Sequence, residues 1–382
     1  MRISVLDVGD GACTVLRRSW NCHNDDTAVI DCGSTSISAS LAARRLLIEI
    51  SNQPEDISTI IVTHFDTDHF LGLLELAKEM KAQKKTFRKL NLIAPRPPDA
   101  KSNYSQSYLA LASYLIGVRN LDLAKALKEV TQKGHFTYTP VFREGPGFWA
   151  AHSHYSVHWP PRNLPTGVLR SVKNAITLYE DVAKKLKEKG IPDLEQNMKV
   201  AREGNWLNLS QSDDDSGDNL ELNPTISNFD DNAFDEDIDE DIDLPESANR
   251  KIPEELHGDF KKAWNAFRRA NNNMSIVFDD DIQKNLVVFG DAESPVLRWI
   301  ARQKELSHIY EVMLAPHHGT QRLPRNFATQ AWACVSQNGS TGELHWEVKR
   351  LTTHINRNRC KTTLYGNHHF YIRSCPSSWC YC

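Results

Sequence analysis

The stretch "IVTHFDTDHFLG" (Ile61–Gly72) sets two histidines and two aspartates within six residues, directly behind an apolar, β-branched run. "ISTIIVTH" reads as a buried strand and "FLGLLELAKEMKAQ" as the helix after it, so His64, Asp66, Asp68 and His69 fall on the turn between them. A solvated loop accepts four ionisable groups in any order and has no need of an H-x-D-x-D-H spacing. An N-cap role for Asp68 accounts for one carboxylate but for neither histidine. Imidazole and carboxylate together suit Zn²⁺, Mn²⁺ or iron. On a tight turn, His64 and Asp66 converge on one ion and the adjacent Asp68 and His69 reach a second. Two ions roughly 3.5–4 Å apart clamp a hydroxide and stabilise both attacking and leaving oxygens. The expectation is a centre of two divalent metal ions, Zn²⁺ or Mn²⁺, with hydrolytic chemistry.

Working outward, "RISVLDVG", "CTVLRR" and "TAVIDCG" are short strands, and "SASLAARRLLIEISNQ" carries its apolar residues at helical spacing. "KLNLIAP" is a further strand. Strands alternating with helices predict a layered α/β architecture. "TGVLRSVKNAITLYEDVAKKLKEKG" predicts a helix closed by Gly190. An acidic tract then runs over 212–246, followed by the helical "PEELHGDFKKAWNAFRRANN". The tract is expected to be disordered, and the region 163–270 to be an insertion within a single domain of 1–382. "SIVFDDD" and "NLVVFGDAES" read as a hairpin-like pair, and "IYEVMLAPHHGT" as a strand running into a loop.

The formal charge of −4 conceals an asymmetry. No lysine or arginine lies between Arg202 and Arg250, where 16 of the 49 acidic residues are gathered. The other 33 acidic residues face 45 basic ones, a balance that suits a polyanionic substrate. "KAQKKTFRK" (Lys81–Lys89) and "KKAWNAFRR" (Lys261–Arg269) are candidate phosphate-contacting stretches, or solvated helix faces; Trp264 and Phe267 in the second are candidates for stacking on unpaired bases. The acidic tract is either a solvated linker or a nucleic-acid mimic folded over a basic groove. The N-terminus lacks the apolar core of a signal peptide and no window holds 18 uninterrupted apolar residues. A cytoplasmic protein with no membrane contact, and eight reduced cysteines rather than a disulfide framework, are expected. P-loop and nucleophile-elbow patterns are missing from the sequence, which argues against their chemistries.

"THFDTDHFLG" resembles the signature of the metallo-β-lactamase-fold hydrolases. "LDVGDGACTVL", "VVFGDAE" and "LAPHHGT" resemble the ComEC-like branch, the soluble hydrolase domain attached to bacterial DNA-uptake channels. The resemblance covers roughly 1–160 and 271–370 and implies an αββα four-layer sandwich with the metals at one edge between two sheets. It also implies that Asp291 bridges both ions. The late pair His317 and His318 supplies either a proton donor or phosphate contact near the metals, or a loop pair bonded to backbone carbonyls. His345 in "GELHWE" stands where the family often places a final histidine ligand. The usual third-motif histidine has no match: "NNNMSIVF" offers Asn272 and Asn273, and His158 beside Trp159 is either a ligand or a packed ring. The opening turn "GDGAC" lacks an acidic residue after its second glycine.

These readings predict a metal-dependent nuclease acting on DNA, with Asp68, His317 and His318 in catalytic positions. Two alternatives remain: a hydrolase of a small cyclic nucleotide or other ester, and a non-catalytic sensor or interaction component working with a protein partner of the same system.

Overall fold

The computed structural model describes residues 1–17, 26–96, 104–117, 121–203, 252–306, 308–324, 327, 329–338 and 360–372. The acidic tract and the cysteines at 375, 380 and 382 lie outside these residues. The chain divides into two compact units: Met1–Pro95 with Ala126–Arg162 and Met274–Cys382, and Arg96–Lys125 with Asn163–Asn273. The inserted unit therefore takes in Arg96–Lys125 as well as the region read as 163–270.

The first unit holds two seven-stranded sheets. One contains β1 (Arg2–Val5), β2 (Cys13–Arg17), β3 (Thr27–Cys32), β4 (Ile57–Ile61), β5 (Leu90–Pro95) and β6 (Phe136–Val141). The other contains β7 (Phe148–Ala150), β8 (Ser153–Trp159), β9 (Val277–Asp280), β10 (Leu286–Val288), β11 (Ile309–Leu314), β12 (Gln330–Ser336) and β13 (Cys360–Thr362). The last strand, β14 (His368–Tyr371), returns to the first sheet and pairs antiparallel with β1. The order is β14-β1-β2-β3-β4-β5-β6 in one sheet and β13-β12-β11-β10-β9-β8-β7 in the other. β3 to β6 are parallel, as are β10 to β13.

Alternation along the strands points one apolar row from each sheet into a common layer. Ile3, Leu16, Ile30, Ile61 and Ile93 of the first sheet meet Tyr155, Val157, Phe278, Val288, Val312 and Leu314 of the second. Each such side chain contributes roughly 1.5–3 kcal/mol by leaving water. Helices α1 (Ala39–Glu49) and α2 (Thr67–Ala82) lie on the first sheet. The buried stripe of α2, Phe70, Leu73, Leu74, Ala77 and Met80, follows the helical period. Its N-cap is Asp66, whose carboxylate accepts from the Thr67 amide at 2.8 Å, so the cap is not Asp68.

The second unit is helical: α3 (Tyr104–Ile116), α5 (Thr166–Glu188), α6 (Asp193–Glu203) and α7 (His257–Asn272), with α4 (Leu123–Glu129) crossing the division between the units. Tyr108 stacks on Trp264 with centroids 6.1 Å apart, and Phe267 meets Tyr104 and Tyr179. Trp264 is 4% exposed and Phe267 fully buried. Both are core residues of the helical unit, placed there by the apolar face of α7, and are not presented for stacking on bases.

On the second sheet, α8 (Ser294–Gln303) sets Trp299 edge-on against Trp159 at 5.1 Å. Beside it runs a buried charge relay. His158 donates through Nε2 to Asp279 at 2.9 Å and through Nδ1 to Glu305 at 3.2 Å. Arg143 Nε donates to Glu305 at 3.1 Å, while Lys284 and Tyr310 donate to Asp279. Burial lowers the His158 pKa, but the two carboxylates outweigh it and raise the value. Hydrogen bonding from His158, with Arg143, brings Glu305 down to about 2 against burial. The raised histidine gives stability that is complete below its unfolded value of about 6.5 and is lost as pH rises through the folded value. The depressed Glu305 gives stability that is complete above about 4.3 and is lost as pH falls through about 2. The stability lost in His158→Gln should therefore be greatest between roughly pH 4.5 and 6.5, at ~3 kcal/mol, and shrink at alkaline pH. Urea unfolding measures it; a pH-independent difference would mean that His158 acts by packing alone.

Candidate metal centre

β3 and β4 of the first sheet and β10, β11 and β12 of the second end at the same edge of the sandwich, where α/β sheets form their crevices. Past β4 the chain turns through His64 into α2, whose first turn carries Asp68 and His69. Past β10 it reaches Asp291, whose amide donates to Ser275 Oγ at 3.1 Å. Past β11 come His317 and His318, both left-handed with φ of 47° and 53°. The turn is held because the His317 amide donates to the Gly290 carbonyl at 2.8 Å and Thr320 closes on the His317 carbonyl. The Ser336 hydroxyl donates to the His318 carbonyl.

One ligand atom from each of Asp68, His69, Asp291 and His318 falls in a group whose members all lie within 4.8 Å of one another. His69 Nε2 is 3.3 Å from Asp291 Oδ1 and 3.9 Å from Asp68 Oδ2. His318 Nε2 is 3.2 Å from Asp68 Oδ2 and 3.4 Å from Asp291 Oδ2. These contacts miss hydrogen-bond alignment: the Nε2 atoms of His64, His69 and His318 are buried with no hydrogen-bond partner. Buried polar atoms are rarely left so, and nitrogens and carboxylate oxygens converging without bonding are what a divalent cation requires. The residues present fit such an ion.

The fields agree. Burial opposes ionisation of Asp68, but His69 and His318 hold its pKa below the ordinary carboxylate value. Burial likewise opposes ionisation of Asp291, and His318, His69, His317 and His64 overcome it. Burial lowers the His69 value, outweighed by Asp291, Asp31 and Asp68, so it stands well above normal. His318, also lowered by burial, is pushed up to about 10 by Asp291 and Asp68. Burial and then the charge of His69 drive His64 well below its ordinary value. Buried carboxylates here draw positive charge, and an ion that displaces the imidazole protons binds less well as pH falls.

Of the sequence candidates, the structure brings Asp68, His69, Asp291 and His318 together. His64 Nε2 and His317 Nε2 face the same Asp291 oxygen from 3.8 and 3.6 Å. Asp66 caps α2, and Asn272 and Asn273 end α7 of the helical unit. His158 is spent on Asp279 and Glu305, both ring nitrogens engaged, and is not brought into the group. His345 lies outside the described residues.

Sequence reasoning missed Asp31. It is buried in a left-handed conformation (φ 54°) and accepts from the Thr63 amide, the Thr63 hydroxyl and His69 Nδ1 at 2.8, 2.8 and 2.9 Å. An acid within the apolar strand "TAVIDCG" was the available signal. Gly33 was missed as well: a Cβ there would stand 2.4 Å from the Asp68 carbonyl carbon, so only glycine lets the first turn of α2 approach β3. Ser275, the seat of Asp291, gave no sequence signal.

A two-sheet sandwich with histidines and aspartates gathered at one edge defines the architecture of a metal-binding hydrolase. The chain carries a metallo-beta-lactamase superfamily domain, matched by that family's model over residues 6–158. The match includes His64 to His69; Asp291 and His318 lie beyond it. The crystal structure of the metallo-beta-lactamase fold protein YhfI from Bacillus subtilis is similar over 41% of this chain, with 13% identity and a TM-score of 0.25. The similarity spans 52% of that protein, about half its length. No curated protein matches the chain. Among the described residues no helix is long and apolar enough to cross a membrane.

Asp31→Asn keeps the shape of the side chain, but its amide nitrogen cannot accept from both His69 and Thr63. It should weaken metal binding by about 10–100-fold while unfolding stays cooperative. Metal titration followed by calorimetry checks this, and an unchanged affinity would remove Asp31 from the centre's support.

Proposed function

We propose that this chain is a metal-dependent nuclease that cleaves DNA phosphodiester bonds, using two divalent ions, Zn²⁺ or Mn²⁺. The observation that carries the metal dependence is the convergence of Asp68, His69, Asp291 and His318 with Nε2 atoms left unbonded in a buried site. A polyanionic substrate is supported by the excess of 45 basic over 33 acidic residues once the 16 of the acidic tract are set aside. The resemblance of "VVFGDAE" and "LAPHHGT" to the DNA-uptake branch supports DNA in particular.

When bound, divalent ions supply Lewis-acid polarisation of the phosphate and make water available as a nucleophile near neutral pH. The protein's own groups do the rest. Asp31 and the Gln337 carbonyl orient His69 and His318, and Asp68 and Asp291 set the negative field that holds cations at the crevice. His318 stands within the ligand group, which leaves His317 to act on protons. Its imidazole passes a proton to the oxygen departing from phosphorus as the P–O bond breaks. Hydrolysis of a small cyclic nucleotide uses the same groups, and the sensor reading uses the fold without turnover.

Cleavage of a fluorescent oligonucleotide in Mn²⁺ or Zn²⁺ should be abolished in Asp68→Ala and by chelation, with DNA binding largely retained. Retained cleavage in Asp68→Ala would dismiss this centre; metal binding without cleavage would favour small esters or an activating partner. His317→Ala should lower kcat by about 10²–10⁴-fold and flatten the alkaline limb of the pH–rate profile, along which the donor loses its proton. An intact limb would assign the proton to another group.

A further inference from the structure

The four imidazoles around Asp291 are not built alike, and the difference lies in their far nitrogens. His69 Nδ1 donates to Asp31 Oδ2 at 2.9 Å, and His318 Nδ1 donates to the Gln337 carbonyl at 3.1 Å. Each acceptor fixes the proton on Nδ1 and leaves the Nε2 lone pair aimed into the ligand group, the support that metal-binding histidines commonly have. The other two lack it. His64 Nδ1 has Thr63 Oγ1 at 3.3 Å, a hydroxyl whose own proton goes to Asp31 and which also lies 3.2 Å from His69 Nδ1. His317 Nδ1 is buried with no hydrogen-bond partner. Asp66, the carboxylate that the turn shares with His64, gives Oδ1 to the Thr67 amide at the head of α2.

We propose that the two metal positions of this chain fill unequally. One ion is held tightly by Asp68, His69, Asp291 and His318, and the position beside His64 fills when a substrate phosphate oxygen supplies a further ligand. The inference rests on the metal-dependent reading above and adds to it the order of filling. A tight site needs about four well-oriented donors, and the four-residue group has them from both sheets. On the other side, Asp291 Oδ2 is already approached by His318 at 3.4 Å, and His64 Nε2 stands 3.8 Å from it. Support of the kind given to His69 and His318 is worth about 10–100-fold in affinity for one ligand. The two positions should therefore differ by a hundredfold or so. A phosphate oxygen, hard and anionic, is the type of donor the weaker position lacks.

The test uses the full chain loaded with Co²⁺, desalted, and assayed for ions per chain by elemental analysis. Visible Co²⁺ absorption is followed during loading, and circular dichroism checks the fold of each variant. The wild type should retain about one ion, with the absorption saturating at one equivalent. His64→Gln should still retain it and His318→Gln should lose it. A phosphorothioate oligonucleotide, a slowly cleaved DNA probe, should let the wild type keep a second ion. Two ions retained without the oligonucleotide, or His64→Gln emptying as fully as His318→Gln, would overturn the unequal order while leaving a metal centre in place. A second ion missing even with the oligonucleotide would overturn the substrate-assisted half. A folded wild type that retains no ion at any loading would overturn the metal reading itself.

Discussion

Asp291 is a carboxylate 3% exposed to solvent, and the architecture around it follows from the need to keep it compensated. An isolated ionised carboxylate buried in this way would cost far more than the fold can supply. Four imidazoles from three separate turns converge to hold it ionised. That convergence requires the ends of β4, β10 and β11 to meet, and the two sheets are fastened together at this edge. Ile276 donates its amide to the Thr63 carbonyl at 2.8 Å, and Gln337 Nε2 reaches Thr14 Oγ1 of the first sheet at 3.3 Å. The sandwich and the site are therefore one construction: the same bonds that close the layers seat the ligands.

How much of this is legible in the sequence depends on how local each interaction is. His64 to His69 lie on a single strand-to-helix turn, so their convergence follows from spacing alone. Asp31 supports the same turn from 38 residues away, and nothing in "TAVIDCG" states that its carboxylate meets Thr63 and His69. His158 sits in an ordinary alternating strand. Only the pairing of β8 with β9, and the chain beyond α8, reveal the Asp279 and Glu305 that take its two nitrogens. The inserted unit shows the same limit. Nearly every residue of α3 is buried, which its uniformly apolar "YLALASYLI" expresses, yet its grouping with α6 is a tertiary fact. A helix apolar on all sides belongs inside a bundle; which bundle is set by residues that follow α3 by some ninety positions in the chain.

Aromatic residues mark the same boundary between pattern and placement. Trp264 and Phe267 stand among lysines and arginines, a composition that suits nucleic-acid contact, but on α7 they share the face with Phe260 and Ala263. The basic residues fall on the remaining faces of the helix. Periodicity of 3.6 thus separates two chemistries that composition blends, and it assigns the rings to the core and the charges to the surface. Any electrostatic attraction for a polyanion in this region comes from the charges alone.

The adjacent histidines show why neighbouring residues here need not share one role. In a strand, His317 and His318 would point to opposite faces, and in a helix they would diverge by about 100°. In two successive left-handed residues both Nε2 atoms approach the same Asp291 oxygen, at 3.6 and 3.4 Å, with ring centroids 6.1 Å apart. Left-handed non-glycine residues cost of order 1–3 kcal/mol each, and the turn is kept by bonds from Gly290, Thr320, Ser336 and Gln337. Those bonds are unequal between the two rings. Gln337 fixes the tautomer of His318, and His317 is fastened through its backbone while its Nδ1 has no hydrogen-bond partner. One ring is thereby held as a ligand in a set orientation, while the other keeps a nitrogen able to change its protonation. The strain of the turn brings a fixed donor and a proton carrier to bear on a single carboxylate.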